Sequence, residues 1–449
     1  MLQDNKDPNT EELVARYERS QSEGRPCYFD VDELEEISDF YLKKGRSKDS
    51  TEVVELGLKL HPNSSILLLK KAILYLEIGE AKRALRILDR LPEKDDTEAG
   101  LVRSEVLLQL DRRDEAILLL HHIMEEETFE RSELALDISG ILIQAGEHEE
   151  AAAFISDALK IDPNNMDLLF EMAYNYEQLN QTQDAIRIYN QILTIDPYSS
   201  ETWFNLGQAC FNEKSYGSAV DAYDYALVIN PADSLAMLQK AHALFQNEQY
   251  PEAATMYMEY GELTEFSPTI LVYIGESLEK NDQFDQAMDY YKKSFEKDPQ
   301  NIDALTGMGI CLMEKEQFKD SLLWFERALR VDRQISETWV YVAEVFVNLE
   351  RPEEAMLSYL RALEIDPLQA DVQAAIGNLH FDAGYYEKAL KFYKEAESLD
   401  PELIGLDLFY ALVYAKTGEE ALLEQYLAVA VEKDPNAQKI FDDIMNEKP

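Results

Sequence analysis

Residues 200–231 read SETWFNLGQACFNEKSYGSAVDAYDYALVINP, and the pattern of this stretch returns on both sides of it every 34 residues. Taking Pro231 as position 32 of a unit places unit starts at 31, 65, 97, 132, 166, 200, 234, 268, 302, 336, 370 and 404. Position 8 of these units holds Ser38, Ala72, Ser104, Ser139, Ala173, Gly207, Ala241, Gly275, Gly309, Ala343, Gly377 and Ala411. All are small, as two helices crossing at close range require. Position 20 is Ala or Ser from Ser50 to Ala389 and departs only in the last unit, at Leu423. Position 24 is large and apolar, as in Tyr189, Tyr223, Tyr257, Tyr291, Phe325, Tyr359 and Tyr393. Spacings of 3, 4 and 7 within each half of a unit put these residues on one helical face.

The breaks between helices agree with this reading. Gly45, Gly79, Gly146, Gly384 and Gly418 all stand at position 15, where a first helix must end and a left-handed residue is tolerated. Pro62, Pro163, Pro197, Pro231, Pro299, Pro367, Pro401 and Pro435 stand at position 32, where no helix can continue. Asn164, Ser199 and Ser200 are placed to cap the helix that follows. Two antiparallel helices per unit, about twelve units and no strand predict an all-α solenoid.

This series of residues, in units of this length, resembles the tetratricopeptide repeat, a helix–turn–helix unit. The whole chain resembles bacterial proteins built only of such repeats. The resemblance implies a right-handed superhelix with a binding function. Residues 1–30 are expected to cap the array, residues 31–437 to form it, and residues 438–449 to close it with a helix. In the leading segment Asn9 and Glu12 have the spacing to cap a helix running to about Gln21, broken by Gly24-Arg25-Pro26. The ending LPEKDDTEAG and the displaced Pro268 after YGELTEFS predict bends near 92–100 and 260–268. Arg333 replaces the proline at the end of the unit from 302.

The charge narrows the choice of partner. With 88 acidic and 42 basic residues the formal net charge is −46, so phosphate backbones and anionic membranes are repelled. The charge also keeps a repeat array soluble. Three cysteines, Cys27, Cys210 and Cys311, cannot pair completely, which fits a reducing compartment. The start MLQDNKDPNTEELVARYE shows no positive region followed by an apolar run, and no stretch approaches a membrane span. These features predict a cytoplasmic protein that binds neither nucleic acid nor membrane. Its oligomeric state is open.

Motifs for chemistry are missing. The chain has no phosphate-binding loop, HExxH, CxxC or EF-hand sequence. Gly307-Met308-Gly309 follows no predicted strand, so it is not a dinucleotide fingerprint. His121-His122 with Glu125 offers too few ligands for a metal. His380 occupies a position apolar in other units and is expected in the core. No cofactor, metal or enzymatic activity is expected.

In the family the first helix of each unit lines the inner face, with positions 2, 5, 9, 12 and 13 pointing into the groove. By that resemblance the groove holds Phe170, Tyr174, Phe204, Phe211, Leu238, His242, Phe245, Val272, Ile310, Met313, Val340, Val347 and Phe381. Asp167, Glu177, Glu201, Glu276, Glu279, Glu337 and Glu344 alternate with them and favour a basic ligand. Each aromatic either faces the groove or covers a joint between units. The lysine and asparagine pattern by which one subclass clamps a chaperone C-terminus is absent, and so is the asparagine ladder of sugar transferases. The sequence therefore predicts a scaffold that binds a protein or peptide segment. The alternative is a regulatory receptor whose superhelix changes on ligand binding.

Overall fold

The computed structural model describes residues 8–23, 27–91, 96–127 and 129–446. Among these residues it holds 26 helices and no strand, so all the core must come from helix faces. The chain divides into two compact units, Met1–Ile229 and Asn230–Pro449.

In the first unit α1 (Pro8–Glu23) precedes six helix pairs. They are α2–α3 (Val31–Lys43, Ser47–Leu60), α4–α5 (Ser65–Glu77, Ala81–Leu88) and α6–α7 (Thr97–Gln109, Arg113–Glu126). They continue with α8–α9 (Arg131–Gln144, His148–Leu159), α10–α11 (Met166–Gln178, Thr182–Ile195) and α12–α13 (Ser200–Asn212, Tyr216–Ile229). The second unit begins with α14–α15 (Ser234–Gln246, Tyr250–Thr264), α16–α17 (Pro268–Lys280, Phe284–Lys297) and α18–α19 (Ile302–Glu314, Phe318–Val331). It goes on with α20–α21 (Ser336–Asn348, Pro352–Ile365), α22–α23 (Ala370–Asp382, Tyr386–Leu399) and α24–α25 (Leu406–Thr417, Glu420–Lys433), and ends in α26 (Ala437–Asn446).

Within each unit a second helix packs on its own first helix and on the first helix that follows, as α15 does on α14 and α16. Consecutive first helices also touch, as α16 does α18 and α18 does α20. A first helix is thus held from its sides and keeps one face free. Each unit is an α-solenoid.

The local chemistry follows the sequence with some corrections. Helices α10, α12, α14, α16 and α18 start on Asn165, Ser199, Asp233, Ser267 and Asn301, whose side chains accept from backbone N–H groups of the first turn. The cap of α10 is therefore Asn165 and not Asn164. Ser200 lies inside α12, where its hydroxyl donates to the Ala226 carbonyl at 3.2 Å. Helix α1 starts at Pro8, so Asn9 belongs to its first turn, and Val14 and Tyr17 pack with Phe29, Leu34, Ile37 and Tyr41. At the other end Ala437 and Phe441 of α26 pack on Leu408, Leu412 and Ala430.

Of the two places predicted to bend, residues 92–95 lie outside the described residues, as does the break at 24–26. At 260–268 the chain is filled in. Helix α15 continues to Thr264, Glu265 turns with φ 94°, and the Phe266 ring lies over Gly261. A Cβ on Gly261 would come within 2.4 Å of that ring.

Position 24 aromatics fill the space that the small residues leave. A Cβ on Gly207, Gly275, Gly309 or Gly377 would lie 2.3–2.6 Å from the ring of Tyr223, Tyr291, Phe325 or Tyr393 respectively. Trp203 and Trp339 pin the turns between pairs, donating Nε1–H to the carbonyls of Pro197 at 2.9 Å and Arg333 at 3.0 Å. That bond uses a carbonyl, so Arg333 serves it as well as the proline found in other repeats.

Candidate functional site

The free face of the first helices carries positions 5, 9 and 12. In the first unit Tyr174 is exposed, while Phe170, Phe204 and Phe211 are half-buried. Phe204 tilts against Tyr223 with ring centroids 5.7 Å apart. Phe211 meets Tyr216 edge-on at 5.3 Å, bridging the two helices of its own pair. In the second unit Leu238, His242, Phe245, Ile310, Met313, Val340 and Phe381 are half-buried, and Val347 is exposed. Phe245 and Phe381 repeat the arrangement of Phe211, against Tyr250 at 5.4 Å and Tyr386 at 5.7 Å. Met313 and Phe318 both pack against the cluster of Phe325, Leu329, Val342 and Val345.

Val272 does not line a groove. It is buried at 2% exposure, because its neighbours Ile270, Leu271 and Ile274 are also buried and α16 is apolar around most of its girth. His242 is committed internally: its Nδ1 lies 2.7 Å from the Tyr257 hydroxyl, and its ring meets those of Tyr257 and Tyr273 edge-on. Burial pushes its pKa down, so it is neutral at pH 7. The ring of His380 stacks on Phe392 at 5.4 Å. His121 stacks on Phe154 at 4.5 Å, and His122 pairs with Glu126 at 3.5 Å.

The position 24 tyrosines reach through the pair to this same face. Tyr189 donates to Glu177, Tyr291 to Glu279 and Tyr393 to Asn378, each at 2.8 Å. Their partners sit at positions 9 and 12 of the first helices. The Tyr223 hydroxyl is buried and has no hydrogen-bond partner among the described residues.

Models of the tetratricopeptide repeat match residues 142–210, 200–233, 278–339, 336–367 and 370–403. The chain belongs to the tetratricopeptide repeat family. None of the curated proteins matches it. Among solved structures it is similar to a chain of the APC/C hetero-tetramer Cut9–Hcn1, with 14% identity, 92% of each chain covered and a TM-score of 0.41. It is also similar to pilF of Pseudomonas aeruginosa, with 15% identity over 48% of this chain and 97% of that one and a TM-score of 0.43. A third likeness is to YrrB, a repeat protein with an unusual peptide-binding site. There the identity is 18%, the cover 40% of this chain and 92% of that one, and the TM-score 0.33.

The tetratricopeptide face is also acidic in the second unit. Glu276 and Glu279 on α16 and Glu344 on α20 are half-buried, and burial is the main reason their carboxyls titrate high. Glu276 is pushed up to about 7, with Asp303, Glu279 and Glu337 adding to the burial and Lys280 opposing them. Glu279 is held back by the hydrogen bond from Tyr291. Glu344 feels Asp371 and Glu314. Sequence reading found these carboxylates but not their burial, which depends on neighbours a full repeat away.

Among the described residues no group of three or more His, Cys, Asp or Glu is arranged to hold a metal, and no helix is long and apolar enough to cross a membrane. Cys210 and Cys311 are buried as free thiols, and burial raises both pKa values, which makes them poor nucleophiles.

Proposed function

We propose that the protein is a non-catalytic scaffold that binds a segment of a partner protein on the free face of its first helices. The observation that carries this reading is the set of large residues left half-exposed there. Phe170, Tyr174 and Phe204 in one unit, and Leu238, Ile310, Met313 and Val340 in the other, are held by their helices but not covered. Rigid aromatic and branched side chains lose little entropy when a partner covers them, so they make good anchors. Phe211, Phe245 and Phe381 contribute less, since each also packs against a tyrosine of its own pair. The acidic surface excludes nucleic acid and anionic lipid as partners. Three free cysteines suit a cytoplasmic setting.

Site-specific photo-crosslinking in the cell tests the reading. A crosslinker at Tyr174, Phe204 or Val340 is expected to trap a defined protein, whereas one at Tyr225 or Leu357 on second helices traps none. Adducts only from Tyr225 and Leu357 would move the site to the other face and sink the proposal.

A further inference from the structure

We propose that the first-helix face of α16, α18, α20 and α22 receives a Lys- or Arg-rich segment of a partner protein, whose cations pair with Glu276, Glu279 and Glu344. This rests on the scaffold reading and adds which unit binds, and what chemistry.

Charge complementarity selects the occupant. Some acids on the second helices of this unit have arginine partners one turn away: Glu326 with Arg330, Glu354 with Arg351 and Glu364 with Arg361. On the four first helices Glu276, Asp303, Glu314, Glu337, Glu344 and Asp371 have none among the described residues. These carboxylates act on one another across helices, Glu276 on α16 feeling both Asp303 on α18 and Glu337 on α20. Side chains two and four helices apart in sequence order thus share one field, as the packing of α16 on α18 and of α18 on α20 allows. Lys280 offsets only part of this at Glu276 and Glu279; half-buried charge of one sign in excess raises the free energy of the unbound protein, and a bound cation relieves that. The acids recur from repeat to repeat instead of converging on one point, and no three of them form a metal-binding group. Such a row matches cations spaced along a chain better than a single ion. Between the acids lie Ile310, Met313 and Val340, half-buried, which accept the aliphatic stems of Lys and Arg.

Binding is coupled to protons. Around Glu276 stand Glu279 and Lys280 of its own helix, Tyr257 of α15, Tyr291 of α17, Asp303 of α18 and Glu337 of α20. His242 of α14 lies one ring further off, against Tyr257 and Tyr273. A cation needs the ionised carboxylate, so affinity rises from pH 6 to pH 8.

The experiment uses the intact chain at 150 mM salt and a labelled peptide of Lys, Ala and Leu, with counterparts carrying Ser or Glu for Lys. The Lys peptide is expected to bind, more tightly at pH 8 than at pH 6. Losing two charge-assisted contacts in Glu276→Gln/Glu344→Gln should weaken it about tenfold or more. Asp320→Asn/Glu353→Gln, which removes the same charge from second helices, should leave the affinity within about twofold, as screened surface charges do. Equal weakening by both double variants would mean net charge alone attracts the peptide, and the site falls. If the Ser peptide binds as tightly as the Lys peptide, the face stands as a docking site but its basic specificity falls. If no peptide binds and no crosslink forms from Val340, both this proposal and the scaffold reading fall.

Discussion

Gly307 and Gly140 are both helix-interior glycines, and the structure separates them. A Cβ on Gly307 would stand 2.3 Å from Cζ of Tyr291, a ring pressed from its other side by Gly275 and tied by its hydroxyl to Glu279. The ring cannot retreat, so Gly307→Ala forces overpacking, which costs about 1–3 kcal/mol and exceeds the ~1 kcal/mol that Ala gains over Gly in a helix. Around Gly140 nothing lies within 4 Å, and there Ala keeps its full advantage. Urea unfolding is expected to show Gly307→Ala destabilised and Gly140→Ala stabilised. A stabilised Gly307→Ala would show that the ring is not fixed. The need for small residues at position 8 was legible in the sequence, because it recurs in every unit. The need at Gly307 was not, since it serves the aromatic of the preceding repeat and occurs once.

At the scale of the helix pair, the turn between helices repeats more faithfully than its residues do. Glycine marks position 15 in five units, and Gly45, Gly79, Gly146, Gly384 and Gly418 all have positive φ. The same left-handed residue is Asp111, Asn180, Lys214, Glu248, Asp282, Glu316 and Glu350 in the other seven, with φ between 55° and 61°. The helix packing fixes this conformation, and the sequence accepts the strain. Composition alone therefore shows less than half of these turns. A left-handed residue with a side chain costs about 1–2 kcal/mol, whereas glycine gives back roughly 0.5–1 kcal/mol through the unfolded chain. Glu316→Gly is then expected to raise stability by about 0.5–1 kcal/mol. Asn180→Gly should change it little, because asparagine tolerates this region. Thermal unfolding of the two variants beside the parent decides it, and a loss of stability in Glu316→Gly would contradict the account. The aromatics at position 12 make a contact within the pair that the sequence reading did not single out. Phe211, Phe245 and Phe381 vary between units, as ligand-facing residues do, yet each co-varies with an aromatic five residues on at Tyr216, Tyr250 and Tyr386, which is the mark of a joint.

Across the whole molecule the dominant quantity is a net charge of −46, and its cost is uneven. Exposed acids such as Asp49, Glu115 and Glu354 accept bonds from neighbouring arginines, which lower their pKa values. Their contribution to stability is present at neutral pH and lost only in acid. Glu276 has the opposite sign. Its pKa is raised from the ordinary 4.5 to about 7, so the folded state holds its proton more tightly than the unfolded chain does. The stability linked to this group is complete below pH 4.5 and is lost as pH rises through 7. Replacing it with glutamine removes the charge without changing the shape. Glu276→Gln is expected to unfold at higher urea than the parent at pH 8, by about 1–2 kcal/mol once solvent screening is allowed for. The gain should shrink in 0.5 M NaCl, where the fields of Asp303 and Glu337 are screened, and should be much smaller at pH 5, where the folded parent holds its proton, vanishing only below pH 4.5. A gain of equal size at pH 5 and pH 8 would trace the effect to packing, and would remove the electrostatic tension on which the affinity of this face for basic segments depends.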